Sequence, residues 1–195
     1  GVAFAGVALK NAMKFADSLR EIQTIGKQSE QALADLGKEL RLVSGEFGQE
    51  IGAVAKAQYD IISAGIKGTQ NQMETLRASS ALAVAGVSDV GTTADVITSA
   101  MNAYGQANLS ASHASDVLFQ TVEKGKTTIP ELGASLGQVL PFASSAGMGL
   151  EMVGASMATI TAGGVSSAEA STALKGAIIA LDTPTRGAEK AMEKL

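Results

Sequence analysis

The chain holds 195 residues, 46% hydrophobic but only 4% aromatic, with no Cys, no Trp and a net charge of −4. Without cysteine there is no disulfide framework, zinc–thiolate site or thiol nucleophile. The acidic balance argues against a dedicated nucleic-acid binder, which carries a basic patch, and no sequence-specific nucleic-acid contact is expected.

Ala and Gly supply much of the apolar share. Small side chains bury little area each, at about 25 cal/mol per Å², but they let helix backbones approach closely. A close-packed, lightly stabilised helical core follows. The early apolar run Gly1 to Leu9 is stopped by Lys10 and lacks the basic start of a signal peptide. It is also far short of the roughly 20 residues of a membrane span. The opening without Met and in mid-helix character reads as part of something longer.

The first 47 residues are densely charged, and an apolar seam runs between the charges. It passes through Ala8, Ala12, Phe15, Leu19 and Ile22, keeps phase across Gly26 and Ser29, and continues through Leu33, Leu36, Leu40, Val43 and Phe47. Alternating spacings of four and three are the pattern of a coiled coil. Two arrangements fit. One is a single helix about 60 Å long at 1.5 Å per residue; the other is two amphipathic helices hinged at Gly26. The unbroken phase favours the single helix. A seam of this kind, with Phe15, Leu19, Ile22, Leu33, Leu36, Leu40 and Val43 at its centre, is expected to pair with copies of itself, threefold in the preferred arrangement.

Beyond Gly48 the pattern changes to short helices, so the chain divides into an arm (1–47) and an Ala/Gly-rich multi-helix module (48–195). Six Ala-rich stretches close with glycine at Gly65, Gly86, Gly105, Gly125, Gly147 and Gly163, spaced 21, 19, 20, 22 and 16 residues apart. About twenty residues accommodate one helix and a short connection. Each glycine is expected to stop a helix in the left-handed conformation that follows a C-cap. Ile97, Ala100, Met101 and Tyr104 fall at i, i+3, i+4, i+7, an amphipathic stripe. Ser110 is placed to cap a helix, and Thr128-Ile129-Pro130-Glu131 and Ser166-Ser167-Ala168-Glu169 read as capping boxes. Pro141 is expected to kink or end the helix around it, and Thr183-Pro184 to start a last one. No convincing strand is present, so the fold class is all-α: a long N-terminal helix, then an array of six to eight short, glycine-terminated ones.

Catalytic chemistry is missing where it would be sought. His113 is the single histidine and reads as a solvated residue early in a helix. Asp89, Asp95 and Asp116 stand isolated among small residues, which suits caps and surface better than a metal site. Glu123 and Glu131 are candidates for a glycosidase pair by type only: Glu123 lies at a helix end beside Lys124, and Glu131 already has a capping role. Gly147-Met148-Gly149 and Gly163-Gly164 neither follow a strand nor supply the lysine of a phosphate loop. The methionines at 73, 101, 148, 152 and 157 read as core filler. No catalytic, cofactor-binding or metal-binding residue is assigned, and no cofactor is expected.

Several phrases are nonetheless specific in their order. The run Phe47-Gly48 through Ala55-Lys56-Ala57-Gln58-Tyr59-Asp60-Ile61-Ile62-Ser63-Ala64-Gly65 resembles tape-measure proteins of long-tailed bacteriophages and prophages. So do Ser99 to Gly105, Val117 to Thr127, Gly137 to Met148 and Thr159 to Gly164. The resemblance covers roughly residues 40 to 185. It implies a structural virion protein of the tail-tube lumen or tail tip, produced in the host cytoplasm, that sets tail length during assembly and leaves ahead of the DNA. Its implied partners are tail-tube and tail-tip or baseplate proteins, with the host membrane a further one during infection. Two other readings stay open: a membrane-active helical module forming a channel in the host envelope, and an unrelated coiled-coil structural or signalling protein.

Overall fold

The computed structural model describes residues 2–26 and 29–183, with side chains from residue 12 onward. Among them run ten helices: α1 (Val2–Gly26), α2 (Glu30–Phe47), α3 (Ile51–Ser63), α4 (Thr69–Ala85), α5 (Val90–Tyr104), α6 (Ala111–Lys124), α7 (Ile129–Leu136), α8 (Leu140–Ser145), α9 (Leu150–Ala162) and α10 (Ser167–Asp182). The described residues contain no strand. The all-α expectation holds, and eight short helices follow residue 47.

Local chemistry sets the starts. Ser29, Asp89 and Ser110 accept hydrogen bonds from the backbone N–H three residues on, at 3.2, 2.8 and 3.3 Å. Thr128–Glu131 and Ser166–Glu169 form complete capping boxes, each satisfying two backbone donors that a helix start leaves over. Pro141 behaves differently from expectation. The helix breaks four residues earlier, at Gly137, and Pro141 sits in the first turn of α8, where its missing N–H leaves no bond unmade.

The N-terminal region also differs. In place of one long helix there are two, α1 ending at Gly26 and α2 capped afresh by Ser29. The seam turns inward: Phe15, Ile22, Leu36, Leu40 and Val43 are buried in one cluster with core residues of α3 to α10, and Leu19 and Leu33 pack against it. α1 lies on α3, and α2 against α3 and α4. Those five seam residues are thus covered by their own chain, whereas Ala12 is exposed. The same period of 3.5 to 3.6 serves a coiled coil and a helix packed on a globular core, so spacing alone does not choose between them.

The remaining helices form a layered array in which α4 packs on α3, α5 and α6, α6 on α9, and α10 across α7, α8 and α9. Large fully buried side chains are spread along the whole array, from Ile22 and Leu40 through Ile61, Leu76, Ile97 and Leu118 to Leu140 and Met157. Hydroxyls fill much of the rest. Thr75, Ser79, Ser80, Thr98, Thr121, Ser135 and Thr161 are buried and donate back to carbonyls one turn earlier in their own helices. That satisfies the hydroxyl without spending a neighbour's polar group and keeps helix-to-helix spacing short. Residues beyond Thr183, where a last helix was expected, lie outside the described part.

Candidate functional site

The six glycines that close the sequence repeat all lie at or just past helix ends, but they divide into two sets. Gly65, Gly105 and Gly147 have φ of +83°, +86° and +72°. Gly86, Gly125 and Gly163 have φ of −90°, −97° and −71°. The division is spatial. At one end of the array, Asn102 Nδ2 donates to the Ala64 carbonyl at 2.9 Å and Gln106 Nε2 to the Gly65 carbonyl at 3.0 Å, tying the turn after α3 to the turn after α5. Tyr104 Oη donates to the Met148 carbonyl at 2.9 Å, adding the turn after α8. At the opposite end, the Lys126 amide donates to Thr161 Oγ1 at 3.2 Å, joining the ends of α6 and α9.

Left-handed geometry was expected of all six, so the second set is a correction. At Gly86 and Gly125 what requires glycine is space, whereas a Cβ on Gly163 would meet only the Ile160 and Thr159 carbonyls of its own last turn, at 3.2 and 3.9 Å. A Cβ on Gly125 would stand 2.7 Å from Thr161 Oγ1 and 2.9 Å from Ala158 Cα, and one on Gly86 would stand 2.8 Å from Ile129 Cγ1. These are close approaches between residues 33 to 43 positions apart, which local spacing does not reveal.

One groove runs between α6 and α9, about 270 Å³ in volume and lined by His113, Asp116, Gln120, Lys124, Glu151 and Gly154. His113 Nε2 lies 2.5 Å from Glu151 Oε1 across the two helices. The Glu151 carboxyl is held below its ordinary pKa by its own backbone N–H at the start of α9 and then by the His113 hydrogen bond. Gly154 brings the helices together: a Cβ there would meet Thr121 Oγ1 at 2.5 Å and Val117 Cγ1 at 3.0 Å. The pair is exposed, His113 at 49% and Glu151 at 62%, so it is a surface link between two helices.

The other acidic candidates disperse. Asp89 caps α5 and accepts from both the amide and the hydroxyl of Thr92, which together lower its pKa. Glu131 completes its capping box, and Glu123 is exposed at the end of α6. Among the described residues no group of three His or acidic side chains is placed to hold a metal ion. No described helix is long and apolar enough to cross a membrane. Two features escaped the sequence reading. Gln58 is fully buried in α3 with neither amide atom hydrogen-bonded. Val87, 92% exposed in the turn between α4 and α5, has φ of +48°, a rare conformation for a β-branched residue.

Comparison with known proteins supplies what the grooves do not. The family described as "Phage-related minor tail protein" matches residues 30–195. The chain is 29% identical over 152 residues to the "Probable tape measure protein" of Clostridium phage phiCD119, covering 76% of this chain and 16% of that protein. It is 24% identical over 200 residues to the "Tape measure protein" of Pneumococcus phage Dp-1, covering 98% of this chain and 17% of that protein. The chain thus spans about one sixth of the length of these relatives. No solved structure shows significant similarity to it. The family match opens at the first residue of α2 and takes in every later helix, so the chain belongs to the phage-related minor tail protein family.

Proposed function

We propose that this chain is a compact helical segment of a tape-measure protein, with a structural, non-enzymatic role in the tail of a phage particle. The observation that carries the reading is the family match from Glu30 onward, together with two tape-measure relatives that align along most of the chain. In this reading the parent protein occupies the lumen of the tail tube or its tip, contacts tail-tube and baseplate proteins, helps to set tail length, and leaves ahead of the DNA at infection. The part described here is too compact to act as much of the ruler. A single helix of 195 residues would reach about 290 Å, whereas ten helices folded onto one core reach far less. Length setting then rests mainly on other parts of the parent chain, and this segment is the folded module among them.

Mass spectrometry of purified particles before and after DNA release tests this. Peptides from residues 30–183 are expected in full particles and depleted from emptied ones. Their absence from full particles would remove the tail role, and equal recovery from emptied particles would remove the release step.

A further inference from the structure

α1 is seated on the family module from outside it. The family match opens at Glu30, and α2 begins there with a cap of its own, Ser29 accepting from the Ala32 amide. α1 packs along α3 and much less against α2, its neighbour in sequence. Between α1 and α2 a groove of about 590 Å³ stays open, lined by Ala12, Phe15, Ala16, Leu19, Arg41 and Ile51. The large side chains that anchor α1 are few: Phe15 and Ile22 are buried in the core, and Leu19 packs against it.

We propose that α1 is an exchangeable strap: the seat it fills on α3 also accepts α1 of a second copy, giving a reciprocal dimer. The seat itself selects that occupant, because it already holds this helix and takes Phe15 and Ile22 into the shared core. Exchange replaces a contact within one chain by the identical contact between two, which makes it a low-cost route to a dimer. Two features permit it. The apolar phase carries on from Ile22 across Gly26 and Ser29 to Leu33, so the sequence does not commit α1 to folding back on its own chain. Gly26 ends α1, and glycine accepts the changed direction that exchange requires. Concentration decides between the two forms. A helix tethered by a short link competes at an effective concentration on the order of 1 mM, so the closed form prevails in dilute solution. The exchanged form is expected only as the chain approaches that concentration, and it is a property of the chain itself, whatever particle carries it.

The absence of native cysteine lets disulfides tell the two forms apart. A Cβ on Gly37 would stand 3.4 Å from Leu19 Cδ1, so Leu19→Cys and Gly37→Cys report whether α1 is in its seat beside α2. The full chain carrying both substitutions, oxidised at micromolar concentration, is expected to close within one molecule. Chains carrying Leu19→Cys alone and Gly37→Cys alone are then unfolded, mixed, refolded near about 1 mM and diluted before oxidation. They are expected to cross-link to one another at least several-fold more than the same mixture refolded at micromolar concentration. Leu42→Cys in place of Gly37→Cys is the control, because Leu42 is exposed on another face of α2. In parallel, the unaltered chain refolded near millimolar concentration is expected to keep a dimer fraction in sedimentation after dilution, which the dilute refold lacks. Failure of the double variant to close, cross-linking matched by the Leu42→Cys control or by the dilute mixture, or an unaltered chain that is monomeric after both refolding protocols each overturns the proposal.

Discussion

Glycine carries two different burdens in this chain, and substitution separates them. Gly176, midway along α10, has open space where a Cβ would stand. Ala there gains helix propensity, and Gly176→Ala is expected to stabilise the protein by about 0.5–1 kcal/mol. Gly154 sits in α9 with the same helical backbone, yet its Cβ would stand 2.5 Å from Thr121 Oγ1. Overcrowding outweighs propensity there, and Gly154→Ala is expected to cost about 1–3 kcal/mol in denaturant unfolding. Adding Thr121→Ala to Gly154→Ala should cost less than the two single effects combined, because the obstructing hydroxyl is gone. Additive effects in that cycle would show that the close approach is not what requires glycine. Gln58 presents the reverse case, a fully buried amide with no partner. Leaving such a group unpaired costs about 1–3 kcal/mol. Gln58→Met, close in shape and without the amide, is expected to raise the unfolding midpoint, and a lowered midpoint would mean the amide is satisfied by bound water.

Between helices, the exposed His113–Glu151 pair links α6 to α9 and is open to perturbation by pH. Glu151 accepts from its own helix start and from His113, and its pKa is lowered. A carboxyl with a depressed native pKa contributes stability above its unfolded pKa, and that contribution is lost as pH falls through the native value. Wild-type stability should therefore fall more steeply below the ordinary glutamate range than that of Glu151→Gln. Both partners are exposed, so the difference should stay below about 1 kcal/mol and shrink with added salt. Identical acid limbs for the two proteins would show that the pair contributes nothing. None of this pairing was legible in the sequence, since His113 and Glu151 are 38 residues apart. What was legible is local: the Ser110 cap, both capping boxes and the glycine closures all depend on residues within one turn of each other. The need for glycine at 86 and 125 was hidden for the opposite reason, because a Cβ there would meet Ile129 and Ala158 from other helices.

For the molecule as a whole, the decisive question is where the N-terminal seam spends its apolar surface. Its spacing permits self-association, but the structure buries Phe15 and Ile22 in the core that α3 to α10 share. The two arrangements differ in how stability depends on concentration. If the seam held copies together, dissociation would be coupled to unfolding and the melting temperature would rise with protein concentration. With the seam covered by its own chain, the melting temperature of the described fold is expected to stay constant over a hundredfold dilution. Ile22 has no exposed surface, so Ile22→Ala should remove about 2–5 kcal/mol at any concentration. Leu42, on the opposite face of α2 and 59% exposed, is the matched control, and Leu42→Ala should change stability by no more than about 0.5 kcal/mol. A melting temperature that climbs with concentration in the wild type, and ceases to climb in Ile22→Ala, would return the seam to the role its periodicity first suggested. The inward fold makes the opposite commitment: α1 lies along α3 and places Phe15 and Ile22 in the shared core.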